Sequence, residues 1–330
     1  MAGVQGSALA IAVSNAGGLG SLPCAMLSPD GMHAELAAIT AATSKPFNVN
    51  FFCHTPAVAD PEREARWREL LGPYYVEFGL DINNVPAGPG RTPFSHEHID
   101  VLSHFKPPVV SFHFGLPRQD LLDRVRALGA TIMSSATTVE EARWLKERGV
   151  DAVIAQGLEA GGHRGMFLSH DLTTQIGTLA LVPQIVNAID VPVIAAGGIA
   201  DAAGVAAAIA LGAAAVQVGT AYMLCPEATT STVHRAALKS DTARHTALTN
   251  VFTGRPARGI VNRLIREIGP LSSLAPQFPL ATAAIAPLRG AAEAHGSGDF
   301  SPLWAGQNTI GCRDVPAAAL TVELVRGVMR

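Results

Sequence analysis

The sequence predicts an α/β fold of repeated βα units, in the form of a (β/α)₈ barrel or a doubly wound parallel sheet. Three observations carry this expectation. Short apolar runs recur, each followed by Gly, Ser or Asn and then by an amphipathic or Ala-rich helix. The runs are continuously apolar and hardly alternate, which suits parallel strands covered on both faces. The later ones are spaced by roughly twenty residues, enough for a helical crossover. With 330 residues, 48% hydrophobic and 15% charged, the chain can bury one large core and an annex, and disorder is not expected.

Taken in order, 4–13 reads as a helix that follows a first strand, and that strand is not found in the sequence: "MAGVQGSALAIAVSNAGG" opens abruptly. Seven strands are expected, at 18–23, 47–52, 109–114, 131–136, 152–156, 191–196 and 214–218. "SPDGMHAELAAITAATSK" is the helix after the first of these, and "DLLDRVRALG" and "LVPQIVNAI" fill later crossovers. "TVEEARWLKERG" has Thr138 and Glu141 in capping-box spacing and ends at Gly149. The apolar stretch 203–224 imitates a membrane span, but Gly204, Gly212, Gln217 and Gly219 interrupt it. Asp201 can cap a helix there and Gly212 can stop one, so it reads as a short buried helix and a buried strand. Beyond Leu224 the pattern becomes polar-helical with Pro-rich joins and no clear strand, suggesting a smaller second domain. The final "VPAAALTVELVRGVMR" is an amphipathic helix able to return to the barrel's outer ring.

Net charge is −3, with no basic excess to suggest nucleic acid or an anionic membrane. The four cysteines form no CxxC pair and match no zinc spacing; free thiols in a reducing cytoplasm are expected. No basic n-region precedes the first apolar stretch, so no signal peptide is expected.

In a barrel, sites lie at the carboxyl ends of the strands, and phosphates often bind after the seventh and eighth. Three glycine-marked strand ends therefore matter. "AAGGIAD" ends a strand at Gly197 and Gly198. "VQVGTAY" ends the next at Gly219 and Thr220. Backbone N–H groups at such ends can hold a phosphate; tight βα turns are the alternative. The third, "LEAGGHRG", carries His163 behind Gly161 and Gly162, after the strand ending at Gln156. The glycines would let backbone lie against a ligand and the imidazole would serve as a base near neutral pH; otherwise His163 is a loop histidine bonded to a carbonyl. Arg164 either steers an anionic substrate or faces solvent. No GxGxxG follows a strand, so a Rossmann site is not supported.

"FNVNFFCH" sets Asn48 and Asn50 on one face of an apolar strand, where their amides suit either a flat heterocycle or neighbouring strands. His54 and the Ser111–His113 pair read as structural or supporting groups. Ser134 and Ser135 either line the mouth or cap a helix. "SHEHID" brings His96, Glu97 and His98 together, and is expected to be a solvated surface insertion rather than a metal site.

"NVNFFCH", "GLEAGGHRG", "AAGGIADAAGVAAAIALGAAAVQVGTAYM" and "FTGRPARGIVNRLIRE" together resemble the nitronate monooxygenases, formerly 2-nitropropane dioxygenases, over nearly the whole chain. The resemblance implies a TIM-type (β/α)₈ barrel over 1–225, with a C-terminal helix at about 310–330 packing back on it, and a small, mainly helical substrate domain over 226–309. It implies one FMN, with Asn50 at the flavin ring, Gln156 nearby, Gly161 and Gly162 offering backbone contacts, and Gly197, Gly198, Gly219 and Thr220 holding the phosphate, with Gln217 close by. His163 matches the family's catalytic histidine. The implied activity is oxidation of alkyl nitronates, such as propionate 3-nitronate, by O₂ in a cytoplasmic enzyme, potentially a homodimer, with no metal. The alternatives are an FMN-dependent NAD(P)H reductase of quinones or enoyl-thioesters, and an inactive barrel. Family members usually begin with a strand like "PIIQAPM" before "AG"; here Met1-Ala2-Gly3 resembles its end, so the first barrel strand is expected to be missing.

Overall fold

The computed structural model describes residues 1–85 and 91–328. Seven parallel strands form one curled sheet: β1 (Gly20–Pro23), β2 (Phe47–Phe52), β3 (Val109–His113), β4 (Thr131–Ala136), β5 (Ala152–Gln156), β7 (Val193–Ala196) and β8 (Ala215–Gln217). They pair in that order, and each sits where a continuous apolar run predicts it. A short strand β6 (Gly162–His163) leaves this sheet after β5.

Helices α1 (Ser7–Asn15), α2 (Pro29–Ala42), α3 (Pro61–Glu77), α4 (His96–Phe105), α5 (Gln119–Ala127), α6 (Val139–Glu147), α7 (Thr178–Ala188) and α8 (Ala202–Ala210) connect the strands. The curled parallel sheet with its surrounding helices is a TIM-type (β/α)₈ fold. Its core packs Leu22, Val49, Val110, Ile132 and Val153 of the strands against Leu36, Leu122, Leu145 and Leu181 of the helices.

Caps set the helix starts. Ser28, Asp60, Thr138 and Asp201 each accept a backbone N–H from the first turn of the helix that follows. Thr138 takes the N–H of Glu141 at 3.2 Å, as the capping-box spacing predicts. The Glu141 carboxylate does not return to Thr138. It is buried, and it accepts from the Thr137 N–H and hydroxyl and from the Phe167 and Leu168 N–H groups, pinning the loop after β6.

Four expectations need correction. The 214–218 strand is not buried: Ala215 and Gln217 of β8 are exposed, because among the described residues no strand pairs with the far side of β8 to cover them. "SHEHID" is not a solvated insertion but the start of α4; His98 is buried, bonded to Ser95 through Nδ1 (2.8 Å) and stacked on Phe94. The region after Leu224 does contain strands. There β9 (Thr246–Thr249) and β10 (Ala257–Ile260) pair antiparallel, and β6 completes a three-stranded sheet in the order β6-β10-β9. Four-residue strands broken by Gly and Pro lack the length that separates a strand from a turn in sequence. Arg164, finally, is neither solvent-facing nor free to steer: it is fully buried and hydrogen-bonded as described below.

The remaining helices are α9 (Thr232–Lys239), α10 (Arg263–Ile268), α11 (Thr282–Ala294) and α12 (Ala317–Val325). Trp67, Leu71 and Tyr75 of α3 share a second core with Phe252, Leu264, Ile285, Leu288 and Phe300. α12 packs against α1 and α8, burying Leu320 and Leu324. Among the described residues no helix is long and apolar enough to cross a membrane, and all four cysteines are free.

Candidate active site at the carboxyl ends of the strands

The stretch after β5 is held in place on every side. β6 pairs with β10, placing His163 opposite Ala257 and Gly162 opposite Arg258. A Cβ on Gly161 would stand 2.5 Å from the Gly306 nitrogen, so only glycine lets this backbone lie so close to the 305–306 segment. Arg164 locks the strand end from beneath. Its guanidinium donates to the carbonyls of Gln156 (2.8 Å) and Gly157 (2.7 Å) and to Gln175 Oε1 (2.9 Å). Burial lowers its pKa to about 10, which leaves it charged at neutral pH.

The His163 carbonyl accepts two hydrogen bonds, from Gln156 Nε2 (3.0 Å) and His113 Nε2 (3.2 Å). With its Nε2 donating, neutral His113 accepts at Nδ1 from the Ser135 hydroxyl (3.0 Å). Burial pushes His113 down to about 3, so it stays neutral in this role. Gln156 Oε1 accepts from the Gly165 N–H (2.7 Å), so this amide fastens both sides of Arg164. A Cβ at Gly165 would meet the His113 ring at 2.8 Å.

The His163 ring lies in an aromatic box of Phe52, Phe114, Phe278 and Trp304, with centroids 5.2–6.1 Å away. Its Nε2 meets Thr253 Oγ1 at 2.9 Å. Burial lowers its pKa well below the usual histidine value, and the charges of Arg91 and Arg255 act in the same direction. Both arginines are themselves depressed by burial, Arg255 to about 10. Arg255 lies 3.9 Å over Phe114 and donates to the Met166 carbonyl; Arg91 lies 5.4 Å from the centre of Phe278. Neither makes an ion pair among the described residues. The pocket thus joins a neutral imidazole, two cations without carboxylate partners, and aromatic walls.

The other singled-out residues lie along the strands. Asn50 donates through Nδ2 to Ser111 Oγ (2.9 Å), and its Oδ1 has no partner among the described residues. Asn48 donates to Ser21 Oγ (2.7 Å) and Ser111 Oγ (2.9 Å), while its own Oδ1 is buried without a partner among the described residues. Ser134 donates to the Gly115 carbonyl and caps no helix. His54 donates to the Arg91 carbonyl (2.9 Å), a structural bond that fixes Arg91 beside the box.

Gly197 and Gly198 adopt φ of +123° and +72°, and a cleft of about 410 Å³ opens beside them, lined also by Glu159, Thr178, Gln307 and Asn308. Glu159 accepts from the N–H and hydroxyl of Thr178 at the start of α7, and Asn308 donates to the Gly198 carbonyl. No acceptor takes the N–H groups of Gly198, Gly219 and Thr220 among the described residues. The Thr220 hydroxyl accepts from the Gly306 N–H (2.9 Å) and keeps its own proton to donate. These free donors, two on glycine and one on Thr220 at adjacent strand ends, could hold a phosphate group. Gln217 sits at the end of β8 with its side chain exposed.

Sequence reasoning missed Arg91, Thr253, Arg255, Phe278 and Trp304. They lie far from the strand ends in sequence. The pairing of β6 with β10 brings the "FTGRPARG" segment, with Thr253 and Arg255, to His163, and that segment was the one signal for those two; nothing in the sequence pointed to Arg91, Phe278 or Trp304.

Comparison with known proteins agrees with this architecture. The nitronate monooxygenase family profile matches residues 1–327. The chain is 43% identical over 330 residues to a nitronate monooxygenase of Pseudomonas aeruginosa, covering 98% of this chain and 93% of that one. It is 41% identical to one of Paraburkholderia phytofirmans, covering 99% and 90%. A solved nitroalkane oxidase from Streptomyces ansochromogenes superposes with a TM-score of 0.90 at 39% identity, covering 100% of this chain and 95% of that one. FabK from Thermotoga maritima matches with a TM-score of 0.72 at 26% identity, covering 100% and 90%. A strand-end histidine in an electropositive aromatic pocket, together with full-length likeness to these enzymes, makes the chain a member of the nitronate monooxygenase family, the flavin-dependent oxidoreductases that act on nitronates.

Proposed function

We propose that this enzyme oxidises alkyl nitronates with O₂, using one FMN bound across the carboxyl ends of β2, β5, β7 and β8. The observation that carries the reading is the neutral His163 imidazole standing in an aromatic box between two unpaired arginines. A nitronate is a flat anion, and a desolvated pocket with uncompensated positive charge favours it over its neutral acid.

The cradle fits the cofactor. Gly198, Gly219 and Thr220 offer free N–H donors to a phosphate, with Gly197 shaping the turn and Gln217 beside it. Gly161 and Gly162 would present backbone to the flavin ring, with Asn50 Oδ1 and the free N–H of Gln156 as polar partners. When bound, FMN supplies the two-electron oxidation and the reaction with O₂. The chain's own part is orientation and proton handling. Arg91 and Arg255 hold the nitronate oxygens, and with a substrate such as propionate 3-nitronate one of them meets the carboxylate. The aromatic rings exclude water. His163 takes the α-proton when the substrate arrives as the neutral nitroalkane, a task that needs an uncharged imidazole. Residues 226–309, with their antiparallel sheet, supply the substrate-facing wall.

O₂ uptake by the FMN-saturated protein tests the reading. Uptake is expected with propionate 3-nitronate and is expected to fall by about 10²-fold or more on a neutral nitroalkane in His163→Gln. No uptake by the wild type with any nitronate would overturn the function, and unchanged nitroalkane turnover in His163→Gln would remove the base.

A further inference from the structure

His163 bonds through one ring nitrogen only. Nε2 meets Thr253 Oγ1 at 2.9 Å; Nδ1 has no partner among the described residues and is not sealed from solvent. Which nitrogen carries the proton therefore depends on Thr253. Thr253 is 2% exposed, and its hydroxyl has two acceptors within reach, His163 Nε2 and the Arg255 carbonyl at 3.3 Å. It can donate to one. If it donates to the ring, the Arg255 carbonyl is left with no donor among the described residues. If it donates to the carbonyl, the chain Nε2–H to Oγ–H to O=C closes and every group is satisfied. The second arrangement makes two hydrogen bonds where the first makes one, a gain of about 0.5–1.5 kcal/mol, which decides the direction.

The surroundings hold this arrangement. Thr253 sits in a turn where the Thr253 and Gly254 N–H groups both donate to the Asn250 carbonyl, and a Cβ on Gly254 would stand 1.9 Å from the Pro276 oxygen. The Arg255 N–H also points at Thr253 Oγ1, at 3.4 Å. The other charged or titratable groups that act on the ring, Arg91, His113, the Arg255 guanidinium and the Met1 amino group, make no hydrogen bond with it; His113 already donates to the His163 carbonyl.

We propose that Thr253 is a positioning residue that fixes His163 as the Nε2–H tautomer and leaves the Nδ1 lone pair as the proton acceptor. This rests on the reading of His163 as the base.

Nitrogen-15 NMR of the FMN-saturated protein with labelled imidazoles tests it, with His163→Gln identifying the signal. In the wild type at neutral pH the expected result is a protonated Nε2 and an unprotonated Nδ1. Thr253→Val should mix or invert the two, and Thr253→Ser should restore them. In parallel, kcat/KM for a neutral nitroalkane should fall by about tenfold or more in Thr253→Val, with a smaller loss on the pre-formed nitronate. A wild-type proton on Nδ1 overturns the proposal, as does a folded Thr253→Val with the wild-type tautomer. Should Thr253→Val fail to fold, the wild-type spectrum and Thr253→Ser decide. Failure of nitronate oxidation with the expected tautomer would instead count against the function.

Discussion

Arg164→Met removes the guanidinium that ties β6 to the end of β5 while keeping most of the side chain's volume. Three hydrogen bonds of 2.7–2.9 Å are lost, to Gln156, Gly157 and Gln175. Hydrogen bonds to charged groups contribute about 1.5–3 kcal/mol each, so the gross loss is about 4–9 kcal/mol. Against this, the variant no longer buries a cation, a cost of several kcal/mol per ion that the native state already carries. The net destabilisation is then about 3 kcal/mol, a large share of the ~5–15 kcal/mol that holds a typical domain folded. Thermal unfolding with saturating FMN should show a Tm lower by roughly 6–12 °C if the shift per kcal/mol known for somewhat smaller domains applies. Arg164→Lys, whose single ammonium cannot reach all three acceptors, should fall between the two. A Tm of Arg164→Met within about 1 °C of wild type would refute the clamp, since even a single lost charged hydrogen bond predicts more.

Gly161→Ala and Gly162→Ala should differ sharply despite their adjacency. The first drives a Cβ against backbone at 2.5 Å and should abolish FMN retention on gel filtration; the second meets nothing within 4 Å and carries only the strain of φ +73°, about 1–2 kcal/mol, so it should keep the flavin. Arg255→Met should raise KM for propionate 3-nitronate by about tenfold, roughly one lost charged contact, with a smaller rise for a nitronate lacking the carboxylate; equal effects would remove Arg255 from carboxylate binding. The buried histidines make the fold acid-sensitive. His54, His113 and His234 are lowered to about 4, about 3 and about 4, below the ~6.5 of an unfolded chain. Between those limits the unfolded state binds more protons, so stability falls as pH drops below ~6.5, by up to about 1.4 kcal/mol per pH unit for each, until each folded pKa is passed. Urea midpoints that stay flat from about pH 7 to about pH 5 would contradict this.

The barrel was legible because its signals are local. Continuous apolar runs such as 47–52, 131–136 and 152–156 are bounded by turn residues, and caps such as Thr138 and Asp201 mark the helices between them. His163 and the Gly197–Gly198 and Gly219–Thr220 ends were legible as strand-end features. What the sequence does not display is pairing at a distance. β6 is two residues long and is a strand only because β10, nearly a hundred residues later, bonds to it. Without that pairing, Arg164 reads as a surface charge or a substrate-steering one, because the carbonyls it binds gather around it only in the fold. His98 reads as solvated because its partners, Ser95 and Phe94, become partners only once α4 forms.

Anaerobic mixing of the FMN-loaded protein with propionate 3-nitronate, followed by flavin absorbance, tests the central claim most directly. The nitronate should bleach the flavin, O₂ should restore its absorbance, and NADH and NADPH should do neither. Bleaching by a nicotinamide cofactor but not by the nitronate would contradict it.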